Sequence, residues 1–175
     1  MARPYIAQVI PDLGSEFTGI PGRRSWSWDP LWVIISALTE QDLGSCASLY
    51  VATFNAPPWN ESWRVEDATR RLGDFLATPR AHGVGLRAPD GELLGFAIGH
   101  LERSGAEDHF LLQELCVRPA RQRQGHGSAL LGALADRKPD VRHWYLLTAR
   151  DSDAALFYEK NGFRPAPRMA VFVRP

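Results

Sequence analysis

Between Phe110 and Ala135 the chain spells a strand, a glycine loop and a helix in direct succession, and this is its most informative stretch. Phe110 to Val117 is an apolar run of strand character, and Pro119 ends it. Ser128 to Arg137 is rich in Ala and Leu and reads as a helix. The connector is Val117-Arg118-Pro119-Ala120-Arg121-Gln122-Arg123-Gln124-Gly125-His126-Gly127-Ser128. Its glycines permit positive φ and close backbone approach. The helix beginning there offers unpaired N–H groups and the positive end of its dipole. Arg118, Arg121 and Arg123 add charge, with no acidic residue from Leu115 through Ala135. The 20 Lys and Arg residues of the whole chain balance its 20 Asp and Glu residues, so this is a local anion site on a neutral molecule.

The rest of the pattern builds one α+β domain around this junction. Residues 1–30 form a leader broken by Pro4, Pro11, Pro21 and Pro30 and by Gly14, Gly19 and Gly22. Gly14-Ser15-Glu16-Phe17 is also what two adjacent cloning sites encode, so part of the leader reads either as native or as an expression scar. No chemistry is assigned to it. The domain covers residues 31–175, and its first strand is expected over Leu31 to Ile35. Thr39 and Asp42 open a helix carrying Leu43, Ala47, Tyr50, Val51 and Phe54, and a second helix is expected from Ser62 to Ala77. Val84 to Arg87 and Leu93 to His100 read as a hairpin around Pro89-Asp90-Gly91. Strands at Trp144 to Thr148 and Met169 to Val173 flank a helix at Asp153 to Lys160. The order β-α-α-β-β-β-α-β-α-β implies a mixed, mostly antiparallel sheet flanked by helices.

Composition narrows the function classes. At 175 residues with 45% apolar and 23% charged residues, the chain is an ordinary globular domain. Zero formal charge gives no general reason to bind nucleic acid or an anionic membrane. No apolar run approaches the roughly 20 residues of a membrane helix. With no secretory pattern, and with Cys46 and Cys116 in helix and strand segments, both are expected as reduced thiols of a cytoplasmic protein. His100 and His109 lack metal-ligand spacing, so no metal is expected.

Two nucleotide readings of the loop fail. No Gly-Lys-Ser/Thr follows for a γ-phosphate and Mg²⁺, and the dinucleotide fingerprint lacks its first glycine and its βαβ context. A helix entry with solvated arginines stays open on these residues alone. However, Gln122-x-x-Gly125-x-Gly127, with Val117-x-Pro119 before it and Ala129-Leu130-Leu131 after it, resembles the Gln/Arg-x-x-Gly-x-Gly/Ala signature of the GNAT superfamily of acyl-CoA-dependent N-acetyltransferases. Asp151-Ser152-Asp153-Ala154-Ala155-Leu156-Phe157-Tyr158-Glu159-Lys160-Asn161-Gly162-Phe163 is similar to the family's Asn-x-x-Ala-x-x-x-Tyr-Glu-Lys-x-Gly-Phe segment. The likeness covers about residues 32–173, and two motifs in order are more specific than one.

The resemblance implies acetyl-CoA as co-substrate, a sheet splayed at the CoA site, and a direct transfer to a primary amine. Its pyrophosphate would lie on the amides of Gln122, Arg123, Gln124, Gly125, His126, Gly127 and Ser128, and its pantetheine arm along Leu115, Cys116 and Val117, like an added strand. Asp151, where the family has Asn, and Ala154 complete the expected cofactor contacts. Asp151 can accept a hydrogen bond but not donate one. Tyr158 holds the family's general-acid position, and Glu114 lies where many members carry a base. A base is useful because an amine of pKa ~10.4 is neutral in only about one molecule in two thousand at pH 7, a deficit of ~4.6 kcal/mol. Strand alternation puts Glu114 and Cys116 on one face and Leu115 and Val117 on the other. Cys116 has no sequence-adjacent histidine and reads as a buried hydrophobe rather than a nucleophile.

For the acceptor, the stiff loop Phe54-Asn55-Ala56-Pro57-Pro58-Trp59-Asn60-Glu61-Ser62-Trp63 offers flat walls at Trp59 and Trp63 and an anion at Glu61. These features suit a small cationic amine of aminoglycoside or polyamine type. The tryptophans could equally staple the helices. A protein N-terminus or lysine as acceptor, a non-catalytic CoA-binding module, and a homodimer all stay open.

Overall fold

The computed structural model describes residues 5–7, as backbone, and 33–174. The sheet runs in chain order, β1 (Tyr5–Ala7), β2 (Val33–Ala37), β3 (Ala81–Arg87), β4 (Leu93–Ser104), β5 (Glu107–Val117) and β6 (His143–Leu146). Neighbours are antiparallel except the parallel β5–β6 pair. Between them lie α1 (Leu43–Phe54), α2 (Val65–Ala77), α3 (His126–Asp136) and α4 (Asp153–Lys160). The class is the expected α+β one. Residues 5–7 of the leader supply an edge strand paired with Val33–Ile35. The rest of the leader, including Gly14–Phe17, and the Leu31–Trp32 start of the first strand lie outside the described residues.

Each face of the sheet carries its own core. Cys46, Leu49 and Tyr50 of α1 and Ala68 and Leu72 of α2 bury against Phe96, Ile98 and Cys116. Leu130, Leu131 and Leu134 of α3 bury against Val84, Phe110, Leu112 and Val117, with Phe157 and Tyr158 of α4 packed on the same cluster. Thr39 and Asp42 open α1 as their spacing predicts, the Thr39 N–H donating to Asp42 Oδ2 at 2.8 Å. A 3-10 turn, Glu40–Asp42, precedes the helix.

One irregularity decides which face the later part of β5 presents. Ile98 pairs with Glu114 while Gly99 pairs with Leu112, so Gln113 is an extra residue. Before this bulge Phe110 and Leu112 face α3; after it Leu115 and Val117 do. Glu114 and Cys116 are thereby turned toward α1 and α2. The expected alternation for residues 114–117 holds, but only downstream of the bulge.

The expected final strand, Met169 to Val173, is not formed. The segment has no ladder partner among the described residues, and Val171, Phe172 and Val173 are exposed. Its alternating pattern fits a strand, but strand propensity is realised only where a neighbour accepts it. Among the described residues no helix is long and apolar enough to cross a membrane.

Candidate active site

The open edge of β5 is the centre of the site. β6 pairs with β5 only from His109 to Leu112, and beyond that the strands part. The Arg118 N–H donates to the Leu94 carbonyl of β4 at 2.8 Å. Counting back in twos, Cys116 turns its peptide groups to β4, while Leu115 and Val117 turn theirs to the open side. The Val117 carbonyl accepts from Gln122 Nε2 at 3.0 Å, which ties the following loop to the strand. The Val117 N–H and both peptide groups of Leu115 have no partner among the described residues. An extended ligand with amide groups could pair there.

The loop after β5 makes a 3-10 turn, Pro119–Arg121, and enters α3 through Gly125. Arg123 at φ 59° and Gly125 at φ 81° both take the left-handed conformation, which costs a glycine little. The chain thereby curls around the helix start. The N–H groups of residues 123–128 find no acceptor among the described residues, while the next, Ala129 N–H, closes onto the Gly125 carbonyl at 3.0 Å. Gln122, Arg123, Gln124, Gly125 and Ser128 are exposed. The result is a run of free donors at a positive helix terminus.

Gly127 also serves the packing of the protein itself. A Cβ there would lie 2.9 Å from Phe157 Cζ, so the missing side chain lets α4 close onto the start of α3. Asp151, exposed and at φ 57°, turns the chain into α4, and Ser152 caps that helix by accepting from the Ala155 N–H at 3.1 Å. Ala154 is half-buried on its first turn.

The fold modifies the charge that the loop sequence suggests. The arginines are not all free, because the fold supplies acids that the local sequence lacks. Arg118 pairs with Glu92 at 3.1 Å and Arg123 with Asp153 at 3.1 Å. Arg121 has no acidic partner among the described residues. The His126 ring turns inward: it is 4% exposed, and neither ring nitrogen has a partner among the described residues. Burial first, then the charge of Arg121, lowers its pKa, so the neutral ring packs inward and only its backbone reaches the array.

On the α1–α2 side, Glu114 is 8% exposed and its Oε1 is held by three donors. Arg71 donates from Nε at 2.9 Å and Nη2 at 2.7 Å, and the Tyr50 hydroxyl at 3.4 Å. Burial raises the Glu114 pKa, and the Arg71 hydrogen bonds and charge oppose it. The ion pair alone would depress the value, but 41% of the Arg71 side chain is exposed, so water weakens its pull and burial prevails. Because all three donors meet Oε1, Oε2 has no hydrogen-bond partner among the described residues.

Tyr158 approaches from the other side, packed between Phe157 and Phe163 at ring separations of 5.1 and 5.6 Å. Burial, then the charge of Glu114, pushes its phenol up to about 12. Cys116 is 1% exposed and its thiol is raised to about 12, chiefly by burial, so a thiolate nucleophile is not available.

Arg71 and Tyr50 were not singled out from sequence. The signal was the four-residue spacing Trp63-Asp67-Arg71-Phe75, which starts just before α2 and runs along it, and in which the Arg71 guanidinium lies 5.7 Å from the Trp63 ring and 4.8 Å from that of Phe75. The Trp63 Nε1–H donates to Glu61 Oε2, and its ring meets that of Tyr50 edge-on at 5.2 Å. Glu61, Ser62, Trp63 and Asp67 line a cavity of about 410 Å³, and the Glu61 charge is felt at Glu114. Trp59 is set apart from this group, 38% exposed and against Phe54 at 5.6 Å. A second cavity of about 420 Å³, between the start of α1 and Arg118, is lined by neither Glu114 nor Tyr158.

This architecture has known counterparts. The family model described as an acetyltransferase (GNAT) domain matches residues 82–165, from β3 through the exit of α4. Both motifs lie within this match, and over it the chain is similar to the GNAT superfamily. Mycothiol acetyltransferase of Actinosynnema mirum is 49% identical over 63 residues, which is 34% of this chain and 20% of that protein. The chain thus matches about a fifth of that relative's length. An integron cassette protein of Vibrio cholerae superposes with a TM-score of 0.68 at 13% identity, covering 82% of this chain and 92% of that one. Ribosomal-protein-alanine N-acetyltransferase of Brucella melitensis biovar Abortus 2308 gives 0.65 at 20% identity, with coverage of 81% and 99%. At these identities the structural likenesses establish the fold.

Proposed function

We propose that this chain transfers an acetyl group from acetyl-CoA to a primary amine within a ternary complex. The observation that carries this reading is the run of unpartnered N–H groups at residues 123–128 beside the open edge of β5. In this reading the pyrophosphate rests on those amides and on Arg121, and pantetheine amides pair with Leu115 and Val117. The thioester then lies between Glu114 on one side and Tyr158 on the other. In this reading a strand N–H near Val117 stabilises the oxyanion.

Glu114 removes the ammonium proton through a water on Oε2, and the free amine attacks the thioester carbonyl. The thiolate of CoA then departs. A phenol at about 12 stays protonated at any working pH, but its transfer to a thiolate of pKa ~8.5 is uphill by about 5 kcal/mol. Tyr158 therefore acts first as a hydrogen-bond donor to the leaving sulfur, and its proton passes to sulfur as the C–S bond breaks. The second proton of the adduct nitrogen, released as the amide forms, restores the phenol. Tyr158→Phe is expected to lower kcat by about 10²-fold with CoA affinity retained, as read by thiol release and calorimetry. If CoA binds but no amine on a broad panel supports thiol release, the catalytic reading fails and a CoA-binding module is left.

Glu61, Asp67 and the Trp63 face favour a small cationic amine over a protein N-terminus or lysine. The pH profile probes Arg71 directly. Glu114 works only when deprotonated, so activity falls as pH drops through its pKa. Arg71→Ala removes the charge that holds that pKa down. The acid limb of kcat/KM is expected to move to higher pH, while kcat on the alkaline plateau changes less.

A further inference from the structure

We propose that Glu107, His109 and His143 form a transition-metal site that pins β5 to β6. Glu107 and His109 stand two residues apart on β5 and so project from the same face. His143 opens β6 directly opposite His109, with the rings 4.8 Å apart. One ligand atom from each of the three residues lies within 4.8 Å of the others, and His143 Nε2 is already 3.4 Å from Glu107 Oε2. Donors around a tetrahedral Zn²⁺ at ~2.0–2.1 Å lie about 3.3 Å apart, so small side-chain rotations complete the set. The sequence hides this site because one of its ligands comes from a distant strand, and it departs from the expectation of no metal.

Ligand chemistry selects the ion. Two imidazoles with one carboxylate suit Zn²⁺, Co²⁺ or Ni²⁺, whereas Mg²⁺ and Ca²⁺ require oxygen donors. Glu107 and His143 are 61% and 60% exposed, so an ion reaches them from solvent, and water fills the remaining positions. The surrounding charges are otherwise engaged. Glu102, across β4 from His109, holds His100 and the Tyr145 hydroxyl, and Asp108 holds Arg80 and Arg103. The site lies where β6 first meets β5, only a few residues before the two strands part. A metal there would fix the closed end of that opening.

The test uses the full chain, freed of any affinity tag and stripped with chelator, titrated with zinc chloride in a calorimeter. One site of micromolar affinity is expected, weakened at least tenfold in His143→Ala and in Glu107→Ala and unchanged in Glu102→Gln. Saturating zinc should raise Tm by about 5–10 °C. Cobalt should give visible absorption in the parent and none in His143→Gln, the variant to use if the alanine form does not fold. Absence of binding at millimolar zinc, or equal binding by parent and variants, would overturn the proposal.

Discussion

Glu114→Gln is expected to lower kcat/KM for the amine by about 10²–10⁴-fold at neutral pH, with CoA affinity unchanged. The amide keeps the volume of the carboxylate, and its carbonyl can still accept from Arg71 and Tyr50. What it loses is the oxygen left free by the one-sided clamp on Oε1. Raising the pH should recover part of the loss, because the amine then deprotonates itself. Steady-state thiol release across pH measures both effects. Activity within about threefold of the parent would remove Glu114 from the chemistry and leave it as the buried partner of Arg71.

Gly99→Ala is expected to be the most destabilising single-methyl change in the sheet, at about 3 kcal/mol, the upper end of the cost of overpacking. A Cβ at this position would overlap the Leu111 carbonyl oxygen and the Phe110 ring. Neither can step aside, since one is backbone in the β4–β5 ladder and the other is fully buried. The clash falls at the bulge that turns Glu114 toward α1 and α2, so the residual activity of the folded fraction should fall as well. Urea unfolding monitored by tryptophan fluorescence gives the stability term. A loss below about 1 kcal/mol would mean that the bulge relaxes around the new methyl group.

Local order was legible where spacing carried it. The span of α4, Asp153–Lys160, the Thr39–Asp42 entry to α1 and the glycine loop all follow from short-range chemistry. The β4–β5 ribbon runs longer than its apolar core, through Ser104 and from Glu107. Charged residues such as Arg103 and Asp108 pair across it, which a search for apolar alternation passes over. At the candidate site, Glu114 and Tyr158 could be named from motif position. The Arg71 clamp, the Glu92 and Asp153 partners of the loop arginines and the inward turn of His126 could not, because each depends on contacts between elements far apart in sequence. Gly127 was legible as a required glycine but not for the packing it allows against the Phe157 ring.

The most direct measurement is an amide-resolved NMR titration of the full chain with CoA. The account requires saturable binding, with the largest ¹⁵N–¹H shifts at residues 123–128 and at Leu115 and Val117, and little change at the Glu107–His143 end of the sheet. Binding that leaves the amides of residues 123–128 unmoved, or no binding at millimolar CoA, would contradict it.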